Sequence, residues 1–267
     1  MTSFFATPYR HARLIGRLTK REVEARYRGS TLGLAWALML PLAMMGIYTF
    51  VFGTVFRARW QMPDTGDTSY SYAMLMFSGL LAYTLFADCA SRAPGLILEN
   101  VSYVKRVVFP LEILPWVATA SALVNTAIGY GLFFILFTWM YGLPPITALL
   151  LPVALLPIAF IGLASLYLLS SLGVFLRDLR HVLPLIVTAM MFLSPVLFPL
   201  DAVPVEVQHL LFLNPLTPGI QHIRELLFFG TVPNLFTWGL YMLLTLAAAW
   251  LSHAWFMRTK KAFADVL

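Results

Sequence analysis

The sequence is poor in charge and nearly free of cysteine. Charged residues make up 11% of its 267 residues, whereas hydrophobic residues make up 60%. A soluble domain carries about 25% charged residues, so this composition predicts a membrane-embedded chain without a sizeable soluble domain. The single cysteine, Cys89, excludes an intrachain disulfide.

The sequence also lacks the short motifs of nucleotide and metal chemistry. A phosphate-binding loop needs Gly-Lys-Ser or Gly-Lys-Thr, and none of the four lysines has these neighbours. The five histidines are scattered, without a His-Glu-x-x-His pair. We therefore expect a chain that is not an enzyme, holds no metal or cofactor, and cannot supply such an ATP site by itself.

Six apolar runs are long enough to cross about 30 Å of hydrocarbon. They cover residues 32–56, 72–90, 113–140, 148–175, 182–198 and 235–257. Fifteen of the eighteen Lys and Arg residues then fall on one side, and only Arg57, Arg59 and Arg224 on the other. The positive-inside rule places both termini in the cytoplasm. Because the basic residues lie beside the spans, anionic lipid explains the net charge of +6, and no nucleic-acid partner is expected.

The pattern predicts one all-α integral membrane domain over residues 1–267, which includes an amphipathic interfacial helix at 9–28. Leu14, Ile15 and Leu18 share one face of this helix, and arginines crowd the opposite face. Glu22 and Arg26 stand four apart and are expected to pair. The helix either anchors the chain to the membrane surface or also docks a partner.

The cytoplasmic loop 98–112 is unusually apolar for an exposed segment. Asn100 and Ser102 are good N-cap residues and Pro110 ends the helical stretch after them, so about two turns of helix are expected. Such an apolar helix either fits a socket on another protein or packs on its own spans. Just before the loop, Asp88 and Arg92 stand four apart and are expected to form a structural pair.

Two further patterns leave alternatives open. Five prolines cut residues 199–234 into external segments too short to cross, which are either re-entrant or rest flat on the outer leaflet. In the first span an aromatic stripe either offers ring faces to a sugar or glycolipid or simply packs against other helices. On an ideal helix this stripe contains Met45, Tyr48, Phe52 and Phe56.

Several strings, in order, resemble the permease subunits of ABC polysaccharide exporters, which move O-antigen, capsule or teichoic acid chains. The strings are Arg26-Tyr27-Arg28-Gly29-Ser30-Thr31-Leu32-Gly33 with Trp36 and Pro41-Leu42, Lys105-Arg106-Val107-Val108-Phe109-Pro110 with Glu112, Leu114 and Pro115, Phe175-Leu176-Arg177-Asp178-Leu179, Ser194-Pro195, and Leu213-Asn214-Pro215-Leu216. The likeness covers nearly the whole chain.

The resemblance implies a homodimer in the bacterial inner membrane, paired with two copies of a separate ATPase subunit that binds ATP and Mg²⁺. It implies a lipid-linked glycan as cargo; a permease for another lipid or a drug, and a membrane enzyme acting on lipid-linked sugars, are the alternatives. An ion-coupled secondary transporter is disfavoured because the two halves show no repeat. The ATPase contact is expected at Arg21, Arg26, Tyr27, Arg28, Glu99, Asn100, Val101, Ser102, Tyr103, Val104, Lys105, Arg106, Val107 and Phe109.

Overall fold

The computed structural model describes residues 4–27, 35–55, 72–104, 109–200 and 203–266, and within them all regular structure is helical. The α-helices are α1 (Ala6–Arg10), α2 (Ala12–Tyr27), α3 (Trp36–Tyr48), α4 (Tyr72–Arg92), α5 (Val101–Val104), α6 (Leu114–Tyr141), α7 (Leu151–Phe175), α8 (Leu179–Phe192), α9 (Val205–Phe212), α10 (Leu216–Arg224), α11 (Leu235–Thr259) and α12 (Phe263–Val266).

Four helical stretches in the described part are long and apolar enough to cross a membrane. They are Tyr72–Gly95, Leu111–Tyr141, Ile146–Phe175 and Leu235–Ala262. Each is at least 24 residues long, whereas about 20 residues of helix span the hydrocarbon. The second, third, fourth and sixth predicted spans are therefore present as helices of sufficient length.

The first and fifth predicted spans correspond to shorter apolar helices. The α-helical part of the first ends at Tyr48 and continues as a π-helix over Thr49–Val55. The fifth, predicted to run to residue 198, ends at Phe192. Pro195 comes three residues later, and proline disfavours helical geometry in the residue before it.

Proline and glycine mark the ends of the long helices. Pro115 and Pro152 lie in the first turns of α6 and α7, where a missing backbone N–H costs nothing. Gly142 ends α6 with a φ of 87°, a left-handed conformation that favours glycine. At the start of α11 the Asn234 side chain accepts a hydrogen bond of 2.9 Å from the Phe236 backbone N–H.

Helix α4 is the most enclosed of the long helices. In its most apolar stretch 83% of the residues are buried, against 17% for the last span. It packs against α6, α7 and α10, and α7 in turn packs along α11. The last span therefore leaves most of its surface for lipid or another chain.

Small residues allow α7 to approach its neighbours closely. A Cβ added at Gly162 would lie 2.9 Å from the Cys89 sulfur on α4. One added at Gly173 would lie 2.5 Å from the Pro94 carbonyl oxygen. Packing at small residues is a main source of helix association in membranes, where apolar surface gains little from leaving lipid.

The segments predicted to be cytoplasmic meet at one end of the bundle. Arg26 on α2 pairs with Asp88 in the last turns of α4, and Glu112 just before α6 pairs with Lys260 just after α11. The N-terminal helix, the loop from α4 to α6 and the C-terminal segment thus lie together.

The opposite end gathers the start of α4 and the short helices. The Tyr72 hydroxyl donates to the Leu197 carbonyl oxygen, and Thr147 Oγ1 donates to the Leu226 carbonyl oxygen over 2.6 Å. Leu226 lies in a π-helical stretch, Glu225–Phe229, that continues α10. This separation agrees with the predicted two-sided arrangement of the loops.

Candidate partner interface

Two ion pairs attach the amphipathic helix α2 to the end of α4. Arg26 Nη1 lies 2.9 Å from Asp88 Oδ2, and Arg92 contacts the Glu22 carboxylate. All four side chains are between one quarter and two fifths exposed. Each such pair contributes about 1 kcal/mol or less, because water screens it. Together they link α2 to the end of α4.

The sequence predicted other partners for these charges. Asp88 and Arg92 were expected to pair with each other, yet each binds a residue of α2. Glu22 and Arg26, expected to pair along α2, both reach across to α4. A cross-helix partner replaces the neighbour four residues away because α2 packs directly over this end of the bundle.

A cleft of about 290 Å³ opens between α2 and the loop after α4. Four of the residues predicted to contact a partner line it together: Arg21, Glu99, Asn100 and Tyr103. Arg21 and Glu99 are exposed. The cleft therefore combines charges of both signs with an aromatic ring, and its residues come from two segments that are distant in sequence.

The loop itself is anchored at both ends. Ile97 is fully buried, and the Asn100 side-chain amide donates to the Leu96 carbonyl oxygen over 2.8 Å. Further on, the Tyr103 and Phe109 rings stack with centroids 4.3 Å apart and planes 10° from parallel. The described parts of the loop are consequently held against the bundle, while Ser102 is exposed.

The helical part of the loop starts earlier than predicted. Short 3₁₀ helices at Ala93–Gly95 and Leu98–Asn100 lead into the single turn Val101–Val104. Asn100 thus ends a helical turn and binds backwards, instead of capping a new helix. The predicted contact residues Arg28, Lys105, Arg106 and Val107 lie outside the described residues, as do the side chains of Tyr27 and Val104.

Another ion pair joins the loop to the C-terminal segment. Lys260 Nζ lies 3.0 Å from Glu112 Oε2, and the Glu112 side chain is 6% exposed. The Tyr167 hydroxyl, on α7, donates to the Glu112 carbonyl oxygen over 2.8 Å. A buried carboxylate requires such a partner, and removing one member leaves the other charge unpaired. Movement of the loop would therefore be transmitted to α7 and α11.

The aromatic stripe predicted along the first span is only partly an α-helical feature. Met45 and Tyr48 are half-buried and pack against the core. Tyr48 also lines a cavity of about 350 Å³ that Asp88 and Asn125 share. Beyond Tyr48 the backbone becomes π-helical, so the angles of an ideal α-helix no longer apply at Phe52. The Phe52 side chain and Phe56 lie outside the described residues.

A buried arginine at the opposite end of the bundle was not predicted. Arg224, counted as an external loop charge, is 6% exposed. Its guanidinium donates to the carbonyl oxygens of Leu75, Pro195 and Val196 over 3.2, 2.6 and 3.1 Å. An arginine within a proline-flanked apolar segment is the signal that could have indicated this role, because a buried charge must find acceptors.

The short helix α10 is largely buried against neighbouring helices. Seven of its nine residues are buried, and it packs against α4 and α7. Asn214, just before it, donates to the carbonyl oxygens of Met190 and Leu193 at the end of α8, over 3.1 and 3.0 Å. These carbonyls have no helical partner, so the asparagine supplies the hydrogen bonds that they need. Helix α10 is therefore held against α4 and α7 by packing and against the end of α8 by Asn214.

Within the described residues no group of three His, Cys, Asp or Glu side chains could hold a metal ion. The α2 end combines exposed side chains of both charge signs with an apolar loop. Comparison with known proteins agrees with a transport role. The model of the family described as "ABC-2 type transporter" matches residues 13–228. The chain belongs to the ABC-2 type transporter family.

Similar proteins extend over most of this ABC-2 type transporter. The O-antigen export system permease protein RfbA of Myxococcus xanthus is 26% identical over 96% of each chain. A protein of the same name from Klebsiella pneumoniae is 26% identical over 94% of this chain and 93% of its own. The polysialic acid transport protein KpsM of Escherichia coli is 27% identical over 77% of each chain. Family membership makes the chain a membrane transport subunit and disfavours the membrane-enzyme and ion-coupled alternatives.

Proposed function

We propose that this chain is the permease of an ABC exporter that moves a lipid-linked polysaccharide out of the cytoplasm. The observation that carries the proposal is the near full-length similarity to permeases named for O-antigen export. The cargo would be of the O-antigen, capsule or teichoic acid type. A separate ABC ATPase subunit would bind ATP and Mg²⁺, since no lysine of this chain lies in a phosphate-binding loop motif.

The ATPase contact is assigned to the α2 end of the bundle. Arg21, Glu99 and Ser102 are exposed there, within or beside one cleft. Their charges of both signs suit a polar protein surface, on which complementary charge sets register and orientation. Arg26 is better described as a positioning residue, because its guanidinium is engaged by Asp88 of the same chain. The remaining predicted contact residues adjoin this surface in sequence; they are Tyr27, Arg28, Val101, Val104, Lys105, Arg106, Val107 and Phe109.

Force would pass from the cleft into the spans through the ion pairs. Nucleotide binding that draws two ATPase subunits together would move α2, and the pairs Arg26–Asp88 and Glu22–Arg92 would carry this motion to α4. Helix α4 contacts α6, α7, α8 and α10, so it is placed to redistribute the displacement. The motion favours an open path only if the open state binds the closed ATPase more tightly than the other state does.

The path itself would form between two copies of this chain. Only 17% of the most apolar stretch of the last span is buried, so the subunit has apolar surface to spare for a second copy and for lipid. The short helices α3 and α8 would cross together with the residues that flank them, which gives six spans with both termini in the cytoplasm. Tyr48, with Met45 and the neighbouring Phe52 and Phe56, would line part of the route.

Affinity purification of the full chain from its native membranes tests this assignment. We expect an ABC ATPase subunit to copurify in equal amount. Phe109→Glu should reduce the copurified ATPase and polysaccharide export by about tenfold or more, because it buries a new charge at the docking loop. Phe109→Tyr preserves the ring that stacks on Tyr103 and should retain both.

Phe212→Glu is the matched control. Phe212 is 50% exposed on α9, at the opposite end of the bundle, so the same substitution should leave copurification and membrane insertion unchanged. Normal export by the Phe109→Glu protein would count against the loop as the contact. Translocation of glycan by vesicles that contain this chain alone, without nucleotide, would overturn the whole proposal.

A further inference from the structure

An apolar groove of about 690 Å³ lies on the other face of α2, away from the cleft between α2 and the loop after α4, which is called the docking cleft below. Helices α2, α6 and α7 form its walls. Most of its lining residues are apolar, and they include Ile15, Val23, Leu123, Leu156 and Phe160. The groove is more than twice the volume of the docking cleft and shares none of its lining residues. A ligand bound in the groove would therefore be different from the partner bound at the docking cleft.

One residue inside the groove has an enclosed polar atom. Thr19 lines the groove and is 8% exposed. Its Oγ1 is buried and has no hydrogen-bond partner among the described residues, so the rest of its side chain faces the groove. The interior of the groove therefore offers mainly apolar surface, which suits a hydrocarbon chain.

Positive charge borders the same groove. Lys20 is on its rim with its side chain 80% exposed, and the exposed Arg13 and Arg17 are its neighbours on the same helical face. Glu24 is also on the rim, 3.9 Å from Lys20, but a pair this exposed holds the ammonium only weakly. The rim can therefore attract an anion while the interior takes a hydrocarbon chain.

We propose that the groove binds an anionic phospholipid of the surrounding membrane, with one acyl chain between α2 and α6–α7 and the phosphate beside Lys20. The apolar lining and the basic rim match the acyl chain and the phosphate of such a molecule. A second copy of the chain fits less well, because it would bring the arginines of two α2 helices together. The lipid would stabilise the position of α2 on the face opposite the one that forms ion pairs with α4.

Native mass spectrometry of the purified full-length chain tests the site, with phosphatidylglycerol and phosphatidylcholine as the added lipids. The wild-type chain should retain phosphatidylglycerol in preference. Gly16→Phe should weaken this binding by about tenfold or more, since Gly16 lines the groove and an added Cβ meets nothing within 4 Å. The new ring would occupy the space of the acyl chain.

Two further variants complete the test. The first distinguishes recognition of the lipid head group from binding of the acyl chain, and the second is a control. Lys20→Glu should remove the preference for phosphatidylglycerol while leaving some retention of both lipids. Gly131→Phe is the control, because Gly131 also has open space around it but lies outside the groove; its lipid binding should match that of the wild type. Thermal unfolding should show that Gly16→Phe and Gly131→Phe are equally folded.

Three results would overturn the proposal. They are equal retention of the two lipids by the wild-type chain, unchanged retention by Gly16→Phe, and displacement of phosphatidylglycerol by a prenyl phosphate at lower concentration. The last would assign the groove to the lipid anchor of the cargo. Failure of this test leaves the proposed ATPase contact untouched, because the two sites share no lining residue.

Discussion

Arg26 should control how firmly α2 is attached to the bundle. Its guanidinium lies 2.9 Å from Asp88, with the two side chains 32% and 37% exposed. At this exposure the pair contributes about 0.2–1 kcal/mol, and loss of the Glu22–Arg92 pair as well brings the total to at most about 2 kcal/mol. Local opening of α2 should then rise up to about fivefold in Arg26→Ala and about thirtyfold when Glu22→Ala is added.

Hydrogen exchange of the α2 amides, measured on the full-length chain in lipid nanodiscs, reports this opening directly. Arg26 makes further interactions, so the single variant alone does not isolate the pair. The double-mutant cycle does, when Arg26→Asp is combined with Asp88→Arg. We expect the exchanged charges to recover much of the protection that each single variant loses. If α2 exchanges equally in all of these proteins, apolar packing on α6 holds the helix and the ion pairs do not transmit motion.

Close packing and the buried arginine each lead to a stability prediction. Gly173→Ala would place a Cβ 2.5 Å from the Pro94 carbonyl oxygen, which cannot move freely because it belongs to the backbone, so a loss of about 1–3 kcal/mol is expected. Arg224→Met should cost about as much or more, because three buried carbonyl oxygens lose their donor. Thermal unfolding in detergent checks both.

The controls for these two variants use open positions of the same chain. Gly131→Ala adds the same methyl group where nothing lies within 4 Å, and it should be neutral or slightly stabilising. An unfolding temperature for Gly173→Ala equal to that of Gly131→Ala would show that α7 is not in close contact with the turn after α4. Arg258→Met removes an arginine from the last turn of α11 and should change stability much less than Arg224→Met.

Much of the fold could be predicted because membrane spanning is a local property. The length of an apolar run decides whether a helix can cross, and α4, α6, α7 and α11 are predicted from that alone. The first and fifth runs were less predictable. Their helices shorten where a π-helical stretch begins at Thr49 and where Pro195 approaches, and neither effect alters the hydropathy of the run.

The candidate site could be predicted in outline but not in its contacts. Amphipathic periodicity indicated α2, and the apolar composition of an expected cytoplasmic loop singled out residues 98–112. Which charges pair was missed, because Arg26 and Asp88 are 62 positions apart and Glu112 and Lys260 are 148 apart. Spacing along one helix can suggest only partners on that helix, such as Asp88 with Arg92.

By itself the sequence determined that this is a helical membrane chain, poor in charge, with its basic residues concentrated beside certain spans. These features depend on composition and on the order of residues, which are fixed before any contact forms. The tertiary structure decided that α2 is tied to α4, that α10 is largely buried against neighbouring helices, and that Arg224 is buried. Those outcomes depend on which distant surfaces meet, since a buried charge takes its acceptors from whatever backbone packs around it.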